Sequence, residues 1–408
     1  MRHPQKAIAA LTIGLFLIYG AIFYQLRQQL SAGYSDFASM YTAGKILQSG
    51  ARSRLYDLQL QADVQQEFAP NVRIRTSALP FVRPPFYAWL FWPLAQFSYR
   101  TAFLLWSLFS CVCLGAFVLV MRRELPELRR LSLTLTLALV FSYYPFFFTV
   151  LQGQDSALLL LIYSLSYAAL RRNAQFVAGT VLALGTFKFP LVLPFLIPFA
   201  FRKKLKVILG FLLTSLGLAV ISLFTVGWST VVGYQKYLSG IDSIQGVNVP
   251  KDMPNVRGLL TALLPAQFPK AGLAAAILLV SVLLMGLVIR EWEVKPASDR
   301  TTFDLGFSLN VVVTVLVSYH CHAFDLCLLL LPIMLILSAL SADLQISARA
   351  RQWLAWTLGC LLFSPLLILI CLVAQYPSLL AIFLLAFLAA IAAAMPGARD
   401  QPGAPATF

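Results

Sequence analysis

The sequence predicts an all-α polytopic membrane protein, on three observations. Sixty per cent of the 408 residues are hydrophobic, 12% are charged and the mean hydropathy is +0.80, a composition foreign to soluble globular domains. The apolar residues come in runs near the ~20 that a helix needs to cross a bilayer. Many of the 31 Lys and Arg residues cluster in short connections between these runs, where basic residues set orientation. The net charge of +15 then mainly records topology and attraction to membrane lipids with anionic headgroups; it implies no nucleic-acid partner.

In chain order, the first run, 7–25, follows Arg2 and Lys6 and has the outline of a secretory leader. No small-residue cleavage site follows it, so a retained anchor is expected. Further crossings are expected at 101–121, 131–150, 156–170, 207–226, 271–289, 303–319, 326–341, 353–372 and 378–395, which makes ten. Two stretches are ambiguous and bring the range to 10–12 helices. Residues 85–97 are too short to cross upright, and 176–201 are interrupted by Lys188-Phe189-Pro190. With the first re-entrant or tilted and the second a hairpin, 18 of the 31 Lys and Arg residues fall on the cytoplasmic side, together with both termini and a tail at 396–408. If both crossed, Arg122, Arg123, Arg129, Arg130, Arg171 and Arg172 would lie outside, against the positive-inside tendency. No repeat or second domain is visible. Cys111, Cys113, Cys360 and Cys371 fall inside spans, where a packed apolar thiol is the default.

The first outer loop, 26–84, carries the least ordinary local pattern. Ser35 can cap a helix, Asp36 sits in the first turn where a carboxylate suits the dipole, and Phe37, Met40, Tyr41 and Gly44 recur at helical spacing. This predicts a short amphipathic helix on the membrane surface, stopped by Ser49-Gly50, and a second at 57–68 with Leu60, Val64 and Phe68 on one stripe. Asp36 is either a dipole-matching surface acid or a functional one.

Arg83, at the end of this loop, and three further clusters fall on the same, exoplasmic side in this topology. Arg83, before Pro84-Pro85, either snorkels or binds a phosphate at headgroup depth. Gln154 and Asp155, between two spans, suit either sugar hydroxyls or a helix cap. The third cluster, Ser318 to Asp325, holds His320 and His322. On a helix these would point about 200° apart, so no metal site is expected, whereas Asp325 is placed to orient the His322 imidazole. Lys188 is a lone cation in an apolar stretch, and such cations face a cavity or a counter-ion.

Together these residues resemble glycosyltransferase family 87, of the GT-C superfamily of polyprenyl-phosphate-sugar-dependent membrane transferases. The resemblance rests on Asp36-Phe37 with Tyr41, Ala43-Gly44 and Leu55-Tyr56-Asp57, on Arg83-Pro84-Pro85 with Phe91-Trp92-Pro93-Leu94-Ala95, and on Trp106, Gly153-Gln154 and Lys188. A late Ser-x-His with Phe324-Asp325-Leu326 completes it. It extends from about Asp36 to Pro332 and is similar to mycobacterial polyprenyl-phosphate-mannose-dependent mannosyltransferases. It departs where many relatives have Ser-Pro, since Tyr319 follows Ser318.

The resemblance implies a GT-C bundle in a bacterial inner membrane, an active site on the periplasmic face, and Asp36 as catalytic base. A hexose, mannose among the candidates, would pass from a polyprenyl-phosphate donor to a lipid or glycan acceptor without a cofactor. Since the lipid phosphate is a good leaving group, the reaction needs a base for the acceptor and cations for the phosphate. Lys188, Arg83 and one of His320 or His322 would hold the phosphate; Tyr41, Gln154, Asp155 and Asp325 would meet donor or acceptor hydroxyls. One displacement inverts the anomeric centre. No cytoplasmic segment is long enough for a nucleotide-sugar domain. A secondary transporter or lipid flippase would also bury charge, but would show repeats and broken helices in both halves.

Overall fold

The computed structural model describes residues 2–72, 78–242, 249–292, 300–341, 346–362, 364–373 and 376–395; the expected tail at 396–408 lies outside them. The described residues are helical, with no strand, as backbone groups in lipid require. Eight helical runs among them are long and apolar enough to cross a membrane, and nine if a bent pair counts as one.

Helix α1 (Arg2–Ser31) leads into the 26–84 loop, which forms α2 (Phe37–Gln48) and α3 (Leu58–Phe68). The cap of α2 is Asp36 rather than Ser35, and its carboxylate makes no capping bond, whereas Asp57 accepts from the Gln59 and Leu60 N–H groups and caps α3. Nor does α2 lie on a surface: Phe37, Met40, Tyr41, Ala43 and Ile46 are all buried. Beneath it, residues 85–97 form a single helical turn, α4 (Pro85–Ala88), then irregular turns and a 3-10 turn (Leu94–Gln96). A Cβ on Gly44 would lie 2.4 Å from the Phe91 carbonyl oxygen, so the glycine lets the two backbones touch.

Next come α5 (Tyr99–Glu124), α6 (Leu133–Phe141), α7 (Tyr144–Gln152) and α8 (Ser156–Arg171). The expected crossing at 131–150 is broken: α6 and α7 meet at 62°, and Pro145 at the start of α7 has no N–H to continue the ladder. Helix α7 ends at Gly153, in the left-handed region at φ 62°, which turns Gln154 and Asp155 inward.

By length alone 175–201 could cross. It divides instead into α9 (Gln175–Ala183), a 3-10 turn (Leu184–Lys188) and α10 (Phe189–Phe201), with Lys188 off helical geometry at φ −116°, ψ 57°. Going out, Ser166 of α8 donates to the Ala178 carbonyl and Lys188 donates to Ser156. Coming back, Tyr163 of α8 donates to the Leu191 carbonyl, and Arg202 reaches the Ile289 and Arg290 carbonyls. Both limbs thus return to the Arg171 end of α8, and Lys188 is the apex of a hairpin.

The chain continues through α11 (Leu205–Val226), α12 (Trp228–Asp242), α13 (Val256–Leu263), α14 (Lys270–Glu291), α15 (Arg300–Val317), a 3-10 turn (Ala323–Leu329) and α16 (Leu330–Ser341). The last expected crossings appear as α17 (Ala348–Leu362) with α18 (Ser364–Val373), and α19 (Leu380–Ala394). Helices α15 and α16 form the buried centre, with Val311, Val312, Leu316 and Leu331 fully enclosed.

Charges sort to the two ends. Arg172 pairs with Glu124, Arg300 with Glu127 at 3.2 Å, and Arg130 donates to the Ser341 carbonyl. Asp36, Arg83, Asp155, Lys188 and Asp325 gather at the opposite end, where the turns after α7, α9 and α15 converge.

Candidate active site

The site starts from a buried alternation of charge. Asp155 and Lys188 are 1% and 3% exposed, depths at which an ion must be paired. The Lys188 Nζ lies 2.7 Å from Asp155 Oδ1, donates to Ser156 Oγ at 2.7 Å and pairs with Asp325 Oδ1. Asp155 in turn holds Arg83, whose Nε lies 3.0 Å from its Oδ2. Arg83, Asp155, Lys188 and Asp325 therefore form one chain of alternating sign drawn from four separate elements.

Arg83 is also positioned through its backbone. Tyr56, Tyr234 and Tyr237 donate to the carbonyls of Arg83, Val82 and Phe81 at 2.7, 2.8 and 3.1 Å, and Phe81 N–H donates to Gln61 at 2.9 Å. Helix α12 thus clamps the 81–83 strap, a role its sequence does not announce.

Asp36 is different. Its Oδ2 accepts from Gln154 Nε2 at 2.7 Å, and no cation lies within ion-pair distance among the described residues. Burial raises its carboxyl above the ordinary value, partly offset by the Gln154 bond. Gln154 also accepts from Arg83 at 3.3 Å, so one amide joins Asp36 to the charged chain.

Asp36, Arg83, Gln154, Lys188, His320, His322 and Asp325 all line a single cavity of about 820 Å³. Asp155 lies behind this wall, bonded to both cations. Tyr41 turns away: its hydroxyl donates to the Phe97 carbonyl at 2.8 Å and its ring packs on Phe68 and Tyr99. The other side of the cavity is apolar, formed by Leu238 and Ile241 of α12, Ile368 and Cys371 of α18, and Leu380 of α19.

The late histidines depart from expectation. Residues 318–322 are not helical, so the rings of His320 and His322 do not point apart but meet edge to face, 4.6 Å between centroids. Nor does Asp325 orient the His322 imidazole. Its Oδ2 accepts the His322 backbone N–H at 2.9 Å, and its Oδ1 faces Lys188. Burial lowers both imidazoles, His320 to about 3, so at neutral pH each is an uncharged hydrogen-bonding group. Sequence reasoning also missed Ser156, whose hydroxyl bridges Lys188 and Asp325, and Asp252, an exposed acid lining the same cavity. Its position between two expected crossings was the only available signal.

Among the described residues the arrangement offers two carboxylates without an ion-pair partner, Asp36 and the exposed Asp252, two cations held by carboxylates, neutral imidazoles, and an apolar wall beside them. A family model described as glycosyltransferase family 87 matches residues 81–318, which takes in Arg83, Gln154, Asp155 and Lys188 and leaves Asp36 and the late histidines outside. No curated protein and no solved structure matches the chain.

Proposed function

The matched segment is more than half of the chain, which belongs to glycosyltransferase family 87, and from that premise we propose that it transfers a hexose from a polyprenyl-phosphate donor to a lipid or glycan acceptor at the exoplasmic face, with Asp36 as general base. The observation that supports this most is the contrast among the carboxylates. Asp155 and Asp325 are matched by Arg83 and Lys188, whereas Asp36 accepts only from a neutral amide and faces the cavity. A base must be free to take a proton, and a raised carboxyl takes one more readily.

In this reading the acceptor hydroxyl sits against the free oxygen of Asp36 and attacks the anomeric carbon as its proton passes to that oxygen. The bond to the lipid phosphate breaks, and the phosphate departs against hydrogen-bond donors, one of them cationic. Arg83, which is 14% exposed at its side chain, and the N–H groups of His320 and His322 are those donors. Lys188 contributes differently from the sequence expectation, because three acceptors already take its three protons. It acts through the two carboxylates that fix Arg83 and the His322 turn. The apolar wall of α12, α18 and α19 suits an isoprenoid chain, and attack opposite the leaving group inverts the centre.

The test is Asp36→Asn beside Asp252→Asn, each measured for transfer, donor affinity and thermal stability. Loss of a general base costs about 10²- to 10⁴-fold in rate, expected for Asp36→Asn with donor affinity retained. Loss at Asp252→Asn alone would move the base to Asp252.

A further inference from the structure

A second cavity, of about 610 Å³, lies on the other side of the bundle between α1, α5 and the bent pair α6 and α7. Its walls are apolar, formed by residues such as Phe16, Phe103, Phe141, Phe146 and Val150, and among the described residues its only charged lining groups are Arg27 and Arg100. Both are exposed at the end of the bundle that carries Asp36, since Ser35 bonds the Tyr99 hydroxyl at 2.9 Å. The Arg27 guanidinium stacks 3.7 Å over the Tyr24 ring, and neither arginine has a carboxylate partner among the described residues.

Helix α1 is held to the bundle through Tyr19, which stacks on Phe147 at 4.3 Å and donates to the Ser142 carbonyl at 3.1 Å. Around that contact the groove stays open, and a Cβ at Gly20 would meet nothing within 4 Å. Apolar walls at membrane depth, with two cations and no anion at headgroup depth, match a chain below and a phosphate above. Helix α7 stands between the two cavities, its Phe146, Phe147 and Val150 lining the groove and its Tyr144, Phe148 and Gln152 lining the cavity that holds Asp36.

We propose that this groove binds an anionic phospholipid of the bilayer, its phosphate on Arg27 and Arg100 and one acyl chain along α1 beside Gly20. The lipid completes the packing of α1.

The test is native mass spectrometry of the full chain released from nanodiscs of phosphatidylglycerol or phosphatidylcholine, with polyprenyl phosphate as a third arm. The expected result is one retained phosphatidylglycerol and no retained phosphatidylcholine. Each surface arginine is worth about fivefold in affinity for an anionic headgroup, so Arg27→Gln with Arg100→Gln should weaken retention on the order of 25-fold. Gly20→Phe, which fills the groove and leaves the charges, should displace the lipid independently. Equal retention of both phospholipids, retention unchanged in Gly20→Phe, or retention of polyprenyl phosphate alone would each overturn the proposal.

Discussion

Asp36, Asp155 and Asp325 share one end of the molecule, and their partners divide the work among them. Removing Lys188 as Lys188→Met would leave Asp155 and Asp325 buried without their shared cation. Breaking such a pair typically costs about 3–5 kcal/mol, so this variant is expected to unfold at markedly lower temperature in detergent. A melting curve equal to the parent's would show that the cation is not structural. Asp36 has a different readout. Burial raises its carboxyl, and a base must be deprotonated to act. Transfer should therefore fall with decreasing pH along a limb above the ordinary carboxylate range, and residual activity of Asp36→Asn should lack that limb. The acid was legible in the sequence because its helix start is unusual. Its partner was not, because Gln154 is 118 residues away, and a single chain carries no record of which distant side chains meet. For the same reason Lys188 read as a cation awaiting a phosphate, when Asp325, 137 residues on, already holds it.

At the level of helices and turns, two devices place these side chains. The three tyrosine hydroxyls on the 81–83 strap are each worth about 1 kcal/mol. Tyr234→Phe with Tyr237→Phe should thus loosen Arg83 and weaken donor binding by about 10- to 30-fold, measured as a rise in KM at nearly constant kcat. An unchanged KM would detach the strap from donor binding. The hairpin that carries Lys188 depends on close packing of α9 against α11. A Cβ on Gly179 would lie 1.9 Å from the Val207 carbonyl oxygen, and one on Gly210 would lie 2.2 Å from that of Phe176. Such small residues let backbones approach in a membrane, and Gly179→Ala is expected to cost about 1–3 kcal/mol through overpacking, visible in thermal unfolding. Hydropathy located this segment but could not show its path. It also missed the break in 131–150, because the amino acids on either side of Ser142 and Tyr143 are equally apolar.

The bundle as a whole has a polar, mixed-charge end and a basic end. The class of fold was legible because composition alone forbids water as its solvent, whereas the number of crossings depends on bends that composition does not see. The sidedness implied by the basic end is open to a direct check. Gln48→Cys and Lys251→Cys, both exposed, should react with an impermeant thiol reagent in intact cells, and Arg129→Cys and Arg172→Cys only after lysis. The central claim, transfer of a sugar from a lipid phosphate, is tested most directly on the purified protein in nanodiscs. It would be supplied with a panel of polyprenyl-phosphate hexoses and a membrane lipid extract as acceptor, and products would be followed by mass spectrometry with the anomeric configuration read by NMR. The account predicts that one donor is converted to free polyprenyl phosphate as a lipid or glycan gains one hexose of inverted configuration, and that Asp36→Asn slows both changes by about 10²- to 10⁴-fold. Turnover of a nucleotide sugar instead, or a product that retains the donor's configuration, would contradict it.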